Sequence, residues 1–471
     1  MSCLLMNNQN PYKSPFPKSN MTKIGLEIHG YLDTKEKLFC NCSNQEAKTK
    51  NTNICPVCTG QPGSKPLTPN TQAIKKSIQI ALMLGTKPNT LPKKLAWQRK
   101  HYSWPDLPKG YQNTLSGPYA THIGQNGKFL GIRITELHLE EDPAAWDPVT
   151  GCIDYNRSGS PLIEIVTEPD FTSSEQVSNW LKNLIITLSY IKAINKKSGI
   201  KADVNVNIEG ISKRTEVKNV HSIKDIVKVI ESELIRHKKE KPKSMETRRW
   251  NTTKNKTDPM RQKEGAADYR FITDPDLPVI KITNEQVKKI KSQLPETPEQ
   301  KLIKLTKKHK IDKKNATILT KNLELVDFFE SLAKHVNAKQ YIPWVTIELL
   351  RVLNYNKKTL DEVTILPEHL AELIKAVDKK HLTVLKAKQT MNKFIPKSFS
   401  IKDKKDLNKI SDKDVETFCK QAIKKNPKAV ADYKSGEKNA LNFLIGNVMQ
   451  LSNRRADFQT ARKILEKLLK N

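Results

Sequence analysis

The sequence predicts an α+β protein in which a strand-rich amino-terminal region is followed by helical regions. Three observations favour this class. Short segments carry apolar residues at every second position, which is typical of strands with one buried face. Longer segments carry apolar residues three and four positions apart, which is typical of amphipathic helices, and they interrupt the strands without regular alternation. After Pro295 the strand pattern fades and lysine-rich helical patterns replace it.

Four of the predicted strands place polar side chains on one face. Side chains two positions apart in a strand share a face, because they alternate across it. A face of this kind is ordinary where it meets water, and it is suited to holding metal ions where it lines a cleft. The four groups that share a face are Glu27 and His29; Glu136, His138 and Glu140; Asp203, Asn205 and Asn207; and Arg214, Glu216 and Lys218.

Three helices are predicted between these strands. The first begins at Asn70 or Thr71, either of which can cap it, and runs to Gly85. The second covers about 174–194, and the third begins after Ser222 with apolar residues along one side.

A cluster of four cysteines, Cys40, Cys42, Cys55 and Cys58, predicts a metal knuckle. The C-x-x-C half presents two sulfurs to one ion, and the other pair completes a tetrahedral set typical of zinc. Four thiolates leave no open coordination position, so the role would be structural. The alternatives are buried structural thiols or a redox pair.

Changes in composition and residue pattern along the chain predict four segments. Pro396 cannot continue a helix, so the sequence around it indicates a hinge. We expect a flexible leader over 1–22, a catalytic domain over 23–294, an all-α domain over 295–397 and an α-helical tail over 398–471.

The net charge of +32, from 82 basic and 50 acidic residues, indicates partners more than fold. Nucleic acid is the first candidate, because phosphate contacts require lysine and arginine. A general lysine bias of the source proteome is the alternative. No apolar run is long enough to cross a bilayer, and the first twenty residues do not resemble a signal peptide, so we expect a cytoplasmic protein without a membrane partner.

The chemistry indicated by the motifs is metal-assisted reaction at phosphorus. The sequence contains no P-loop, no dinucleotide-binding G-x-G-x-x-G and no G-x-S-x-G elbow. The residues that remain as candidates are carboxylates, histidines and basic residues. The oxygen atoms of the carboxylates are hard ligands, which suit Mg²⁺ or Mn²⁺. Phosphoryl transfer and two-metal nuclease chemistry would both use these parts, and the residues alone do not separate them.

Many short motifs, in order from residue 23 to the carboxyl terminus, resemble the B subunit of the tRNA-dependent amidotransferase. The chain lacks the large insertion of the related E subunit and has the second cysteine pair, which favours the B subunit. The motifs include Gly25–His29, Cys55–Cys58, Pro105–Lys109, Leu139–Asp142, Asp154–Arg157, Pro161–Val166, Asp203–Asn205, Met260–Glu264, Asp268–Arg270 and Asp432–Gly436.

This resemblance implies a fold and an activity. It implies a cradle domain related to glutamine synthetase, with a mixed or antiparallel sheet, then a helical domain and a tail that binds tRNA. ATP, as a substrate with Mg²⁺, would phosphorylate the side-chain carboxylate of Asp or Glu mischarged on tRNA. Ammonia from a glutaminase A subunit would displace the phosphate, within a heterotrimer that also contains a small C subunit.

The resemblance also suggests roles for individual residues. Glu27, His29, Glu140 and Glu141 are predicted magnesium ligands, and Asp203 and Glu216 are further catalytic candidates. His138 is a ligand candidate or a packed strand residue, while Glu136 is expected to be a bystander. Zinc is assigned to the four cysteines. Three basic residues are expected to contact phosphates or to form structural ion pairs, namely Lys218, Arg248 and Arg270.

Two other functions compete with amidation. One is a metal-dependent nuclease acting on RNA, and the other is a zinc-stabilised tRNA-binding scaffold without catalysis. Several positions differ from the family pattern, such as Gly30-Tyr31 after His29 and Pro143-Ala144-Ala145 after the acidic cluster.

Overall fold

A computed structural model describes residues 21–195, 199–260, 269–402, 404 and 407–470. Most of the predicted leader, and the motif residues 261–268, lie outside the described residues. The chain divides into two compact units, Met1–Thr297 and Pro298–Asn471. The first unit combines a large mixed sheet with helices and the second is helical, so the predicted α+β class is confirmed.

The first unit is built on a sheet that contains twelve strands of the described chain, with a separate two-stranded hairpin. The strands are β1 Thr22–Tyr31, β2 Lys87–Pro88, β3 Gln98–His101, β4 Tyr111–Thr114, β5 Gly124–Phe129, β6 Ile132–Glu141, β7 Ala145–Trp146, β8 Ile153–Asp154, β9 Pro161–Thr167, β10 Ile200–Ile208, β11 Thr215–Val220, β12 Glu246–Asn251, β13 Lys256–Pro259 and β14 Arg270–Thr273.

The order of the strands brings distant segments of the chain together. It runs β13-β12-β11-β10-β1-β9-β6-β4-β3-β14, with β5 beside β6 and β2 beside β5, while β7 and β8 form the hairpin. Pairing is antiparallel except between β11 and β12. Strand β1 therefore lies between β10 and β9, and β9 lies between β1 and β6. Three of the predicted polar strands, β1, β10 and β11, are consecutive in this order, and β9 separates them from the fourth, β6.

Four helices of the first unit are α1 Thr71–Met83, α2 Ser174–Tyr190, α3 Ile223–Glu240 and α4 Asn284–Ser292. The side chains of Asn70, Ser173 and Ser222 accept hydrogen bonds from backbone N–H groups of the first turns of α1, α2 and α3, which is why these helices begin there. Helix α2 ends at Tyr190, earlier than the predicted position 194. Just beyond this end, Lys192 adopts a φ of 46°, which a right-handed helix does not allow.

The core of the first unit lies on one face of the sheet. Leu26 and Ile28 of β1 and Val204 of β10 are fully buried there, together with Trp180 of α2 and Ile230 of α3. Each large apolar side chain buried in this way contributes about 1.5–3 kcal/mol. Because side chains alternate, this burial fixes the polar side chains of the same strands on the opposite face.

The second unit is helical and contains two groups of buried apolar residues. One group draws on Leu305–Phe394 and the other on Val415–Leu469. The predicted division at residue 397 stays a prediction. No helix in the described ranges is long and apolar enough to span a membrane. The helices are α5 Pro298–Lys307, α6 Lys313–Leu319, α7 Leu323–Leu332, α8 Ala338–Pro343, α9 Leu350–Tyr355, α10 Pro367–Asp378, α11 Val384–Asn392, α12 Asp412–Lys425, α13 Pro427–Lys434, α14 Lys438–Leu451 and α15 Phe458–Lys470, with a π-helical turn over Trp344–Leu349.

Candidate active site and metal centre

The face of the sheet opposite the core carries the candidate active site. Glu27 and His29 alternate with the buried Leu26 and Ile28 along β1, so they lie on this face. In the register of the sheet, Glu27 is opposite Asp203 of β10, and His29 is opposite Glu164 of β9. The alternation predicted for β1 is therefore present, and its neighbours add ligand atoms on both sides.

The first group of ligand atoms, which we call the histidine cluster, consists of His29, Glu140 and Glu164. The Nε2 atom of His29 lies 3.1 Å from Glu164 Oε2 and 3.9 Å from Glu140 Oε1. His138 approaches from β6, with its Nε2 atom 3.4 Å from Glu164 Oε2. Glu164 thus lies between two imidazoles, because β9 is the strand between β1 and β6.

Electrostatics in the histidine cluster favour the charged forms of both histidines and of Glu164. Burial lowers the pKa of His29, but the carboxylates of Glu164, Glu140 and Asp203 together outweigh that effect and raise the pKa to about 9. The same balance raises the pKa of His138 to about 10. Burial raises the pKa of Glu164, but the two histidines outweigh it and hold the pKa well below its usual range. Glu140 has a raised pKa because of burial and the charge of Glu164.

The second group, which we call the carboxylate cluster, consists of Glu27, Asp203 and Glu216. Lys218 Nζ donates to Asp203 Oδ2 at 2.8 Å and to Glu216 Oε1 at 2.7 Å. Asn205 donates to Glu27 Oε1 at 3.2 Å. Within the described ranges, no basic side chain lies within ion-pair distance of Glu27. The cluster therefore contains three acids and one lysine. Glu27 is the acid that the lysine does not contact.

The excess of acidic over basic groups in this cluster affects the pKa of Glu27. Burial raises its pKa, and the charges of Glu164, Asp203 and Glu216 raise it further, to about 7. A carboxylate held near other carboxylates is stabilised in its charged form by a cation. The cluster has the electrostatic character of a cation site.

The two clusters can hold hard metal ions on one surface. Carboxylate oxygens with one imidazole suit Mg²⁺ or Mn²⁺. Glu27 and His29 are two positions apart on one strand, a spacing of roughly 7 Å at 3.3 Å per residue. The arrangement can neutralise a polyphosphate that bridges the two groups.

Glu141, predicted as a magnesium ligand, is not brought together with these groups. It follows Glu140 along β6, so alternation turns its side chain to the other face. There it accepts hydrogen bonds from Lys109 Nζ at 2.5 Å and from the Asn113 backbone N–H at 2.8 Å. Its predicted role as a ligand stays a prediction, and the geometry does not support it.

The three predicted phosphate-binding residues lie in three different surroundings. Lys218 lies in the carboxylate cluster. Arg248 is aligned with buried Val217 in the sheet, so it points to the helix-covered face, where its Nε donates to Thr257 Oγ1 at 2.7 Å. Arg270 is exposed on β14, an edge strand paired with β3. The structure does not bring these three cations together.

Sequence reasoning missed Glu164 as a site residue. It lies between Ile163 and Ile165 in a strand pattern, Pro161–Val166, that served as a family motif. A single glutamate within an apolar strand was the available signal. What the sequence could not show is that this strand lies between the strands of His29 and His138.

The four predicted cysteines are brought together away from the two clusters. Ligand atoms of Cys40, Cys42, Cys55 and Cys58 all lie within 4.8 Å of one another, and the four are free thiols. The Cys55 backbone N–H donates to Cys58 Sγ at 3.2 Å. A hydrogen bond from Cys40 lowers the pKa of the Cys58 thiol to about 4, and burial opposes that shift. The structure therefore contains a possible four-cysteine metal site.

The knuckle is packed against the loop over residues 100–111. Gly60 has a φ of 66°, and a Cβ atom there would lie 2.3 Å from the Pro108 carbonyl oxygen, so this position requires glycine. The next loop residue, Lys109, contacts Glu141. Lys37 is buried beside the knuckle and donates to the carbonyls of Asn53 and Tyr155. The knuckle thus supports a loop that reaches the candidate site's strands.

Nearly the whole chain is similar to known proteins. Residues 22–288 match the GatB/GatE catalytic domain, and residues 327–469 match the GatB domain. The B subunit of the aspartyl/glutamyl-tRNA(Asn/Gln) amidotransferase of Methanococcus maripaludis strain C5 is 42% identical over 464 residues, which covers 94% of this chain and 98% of the relative. The corresponding protein of Methanocaldococcus jannaschii is 42% identical, covering 95% and 98%. That of Methanothermobacter thermautotrophicus is 41% identical, covering 92% and 97%.

Proposed function

This chain belongs to the GatB/GatE family, and on that premise we propose that it carries out the ATP-dependent amidation of Asp on tRNA(Asn), Glu on tRNA(Gln), or both. One observation supports the activation step: two groups of metal-ligating side chains lie on one sheet face, and one of them includes Glu27, a half-buried acid without an ion-pair partner in the described chain. A cation bound at this face would compensate the acid that the single lysine does not contact.

The reaction follows from the chemistry of the substrate. A carboxylate is a poor acyl donor until it acquires a leaving group. The side-chain carboxylate of the aminoacyl-tRNA attacks the γ-phosphorus of ATP, and ADP leaves. Ammonia then attacks the carbonyl carbon of the acyl phosphate, loses a proton and expels inorganic phosphate, which leaves the amide on the tRNA.

Magnesium fits the residues of both clusters. The histidine cluster offers His29, Glu140 and Glu164, and the carboxylate cluster offers Glu27, Asp203 and Glu216. When bound, Mg²⁺ neutralises charge on the phosphates of ATP. Lys218 holds two of the carboxylates in place, and His138 orients Glu164. Contact of Lys218 or Arg270 with phosphate stays a prediction.

Zinc fits the cysteine knuckle as a structural ion. The four sulfurs leave no open position, and the knuckle supports the Pro108–Lys109 loop. We expect Cys58→Ser to lose bound zinc and to lower the unfolding temperature, with zinc content measured by atomic absorption. The matched control is Cys152→Ser, which removes an exposed cysteine that is not one of the four grouped sulfurs and should change neither quantity. An unchanged zinc content in Cys58→Ser would rule out the knuckle as a zinc site.

The remaining family features extend this proposal. They are a cradle related to glutamine synthetase, a tail that binds tRNA, and assembly with a glutaminase A subunit and a small C subunit, in the cytoplasm. The net charge of +32 supports tRNA as a partner. The missing G-x-S-x-G elbow agrees with a separate source of ammonia.

One assay separates amidation from the two competing functions. The chain with its partner subunits is incubated with Asp-tRNA(Asn), ATP, Mg²⁺ and glutamine, and the aminoacyl group and the tRNA length are measured. ATP-dependent formation of Asn-tRNA supports the proposal. Cleaved tRNA would support a nuclease, and binding without turnover would support a scaffold.

A variant links the assay to the site. Glu140→Gln should abolish ATP cleavage and leave tRNA binding largely intact, because it removes a charged ligand from the histidine cluster without changing side-chain size. Glu168→Gln is the matched control, since Glu168 accepts a hydrogen bond from Thr135 at an exposed position outside both clusters. Loss of tRNA binding with normal ATP turnover in Glu140→Gln would contradict the assignment.

A further inference from the structure

A third group of ligand atoms lies on the sheet beside the histidine cluster. It consists of His122, Glu136 and His138, which we call the outer triad. His122 Nε2 lies 2.9 Å from Glu136 Oε2, and His138 Nδ1 lies 3.3 Å from Glu136 Oε1. One carboxylate is thus held between two imidazoles, each of which faces a different oxygen. The proposed amidation chemistry does not use this arrangement.

The other nitrogen of each imidazole already has a partner. His122 Nδ1 lies 3.1 Å from the Leu115 carbonyl oxygen, which can only accept, so this nitrogen carries the proton. His138 Nε2 lies 3.4 Å from Glu164 Oε2. Metal binding would displace a proton from each ring, and the nitrogens that lose it are the two that face Glu136. Ligating histidines are typically oriented in this way, with the second nitrogen donating to a carbonyl or carboxylate.

The burial of His138 also points to a ligand. The side chain is 1% exposed, and its Nδ1 atom makes no hydrogen bond of good geometry among the described residues, although the Glu136 carboxylate lies 3.3 Å away. An unpartnered buried nitrogen is costly. It faces Glu136, so a cation at that position would satisfy the nitrogen and the carboxylate together.

We propose that the outer triad binds a transition-metal dication of the zinc or cobalt type, as a site separate from the magnesium clusters and the cysteine knuckle. Two imidazoles and one carboxylate leave a fourth position open, as in three-ligand zinc sites. Tetrahedral bonds of about 2.0–2.1 Å place ligand atoms about 3.3 Å apart. The ligand atoms of the three residues already lie within 4.8 Å of one another, so a shared ion needs them to move together only slightly.

The composition of the triad sets its selectivity. Imidazole ligands suit zinc, cobalt and nickel, whereas carboxylate and water ligands suit magnesium. The side chains of His122 and Glu136 are 19% and 24% exposed, so an ion can reach them from solvent. A metal ion on His138 Nδ1 keeps the proton on Nε2, which then donates towards Glu164. The outer triad would therefore orient a ligand of the histidine cluster.

The full chain, with zinc in its cysteine knuckle and saturating Mg²⁺, is titrated with Co²⁺ by calorimetry and by visible absorption. We expect one Co²⁺ ion per chain, with the absorption of a nitrogen–oxygen tetrahedral site and no thiolate charge-transfer band. Glu136→Gln and His122→Ala should each weaken binding at least about 10-fold, because each removes a direct ligand. Glu168→Gln makes the same chemical change just beyond the end of the neighbouring strand β9 and should leave binding unchanged.

Two outcomes would overturn the proposal. One is binding that Glu136→Gln leaves unchanged, and the other is binding of Co²⁺ only at millimolar concentrations. In either case the triad is an ion-paired structural group with protonated histidines. Glu136→Gln preserves size, so it remains informative if His122→Ala does not fold, and thermal unfolding verifies both variants. The readout uses neither ATP nor tRNA, so it can fail or succeed independently of the proposed amidation.

Discussion

Two groups of charged residues lie on opposite faces of the same sheet, and they differ in how completely their charges are balanced. On the helix-covered face, Glu233 of α3 is fully buried and is surrounded by donors. Arg236 Nη2 lies 2.8 Å from its Oε2 atom, His237 Nε2 lies 3.4 Å from it, and Thr257 donates to its Oε1 atom. On the other face, Lys218 pairs with Asp203 and Glu216, and Glu27 has no ion-pair partner in the described chain.

The difference separates a structural role from a functional one. Donors around Glu233 lower its pKa to about 2, against the effect of burial, whereas burial and neighbouring carboxylates raise the pKa of Glu27 to about 7. A balanced buried pair stabilises the fold once it is formed, because removal of one partner leaves the other uncompensated. An unbalanced group is retained at a cost in stability and is completed by a ligand. The comparison predicts opposite consequences for the same glutamate-to-glutamine change on the two faces.

The largest effect is expected for Glu164→Gln. It removes the carboxylate between His29 and His138, so we expect ATP cleavage by the assembled enzyme to fall at least about 100-fold. The unfolding temperature should fall as well, because His29 and His138 lose a buried partner, so turnover is expressed per folded molecule. Steady-state ADP release and thermal unfolding measure the two quantities. Turnover within a few-fold of the parent enzyme would remove the histidine cluster from the mechanism.

The opposite effect on turnover is expected for Glu233→Gln on the helix-covered face. Arg236 and His237 lose a buried partner, so the free energy of unfolding should fall by about 3–5 kcal/mol. Turnover per folded molecule should be unchanged, because Glu233 lies away from both clusters. Urea unfolding and active-site titration test this. A variant as stable as the parent would show that the balance around Glu233 does not stabilise the fold.

The pH dependence of unfolding tests whether the ionised carboxylate of Glu233 stabilises the fold. The pKa of Glu233 in the folded protein, about 2, lies below its ordinary value of 4.5, so its contribution to stability is complete above about pH 4.5. That contribution, roughly 3 kcal/mol for this shift, is lost as the pH falls towards 2. The difference in unfolding free energy between the parent and Glu233→Gln should narrow between pH 5 and pH 3. A difference that stays constant across this range would show that the ionised carboxylate of Glu233 is not the source of the stability.

The sequence predicted some of this arrangement for a definite physical reason. Alternation within one strand placed Glu27 with His29, and cysteine spacing indicated the knuckle, because both are properties of a few adjacent residues. The prediction that Glu141 acts beside Glu140 departed from that rule, since adjacent strand residues face opposite sides. Glu164 depends on the order β1-β9-β6, which joins segments more than a hundred positions apart and cannot be read from local pattern.

The smallest effect is expected from Mg²⁺ on thermal stability. An ion that binds the folded chain at 100 times its dissociation constant adds about 2.7 kcal/mol to the free energy of unfolding. We expect Mg²⁺ to raise the unfolding temperature of the parent chain by several degrees and that of Glu27→Gln by clearly less. Glu233→Gln, although less stable, should keep the full increase. Equal increases in the parent and Glu27→Gln would show that Mg²⁺ binds elsewhere.

The central claim, that the unbalanced face holds the metal ions used to activate the carboxylate, is tested most directly by locating the ions. Crystals of the assembled enzyme with a non-hydrolysable ATP analogue and Mn²⁺ would be measured by anomalous diffraction at the manganese edge. We predict manganese bound by His29, Glu140 and Glu164, and by Glu27, Asp203 and Glu216, with the phosphates of the nucleotide beside them. Nucleotide and manganese bound away from this face would contradict the claim.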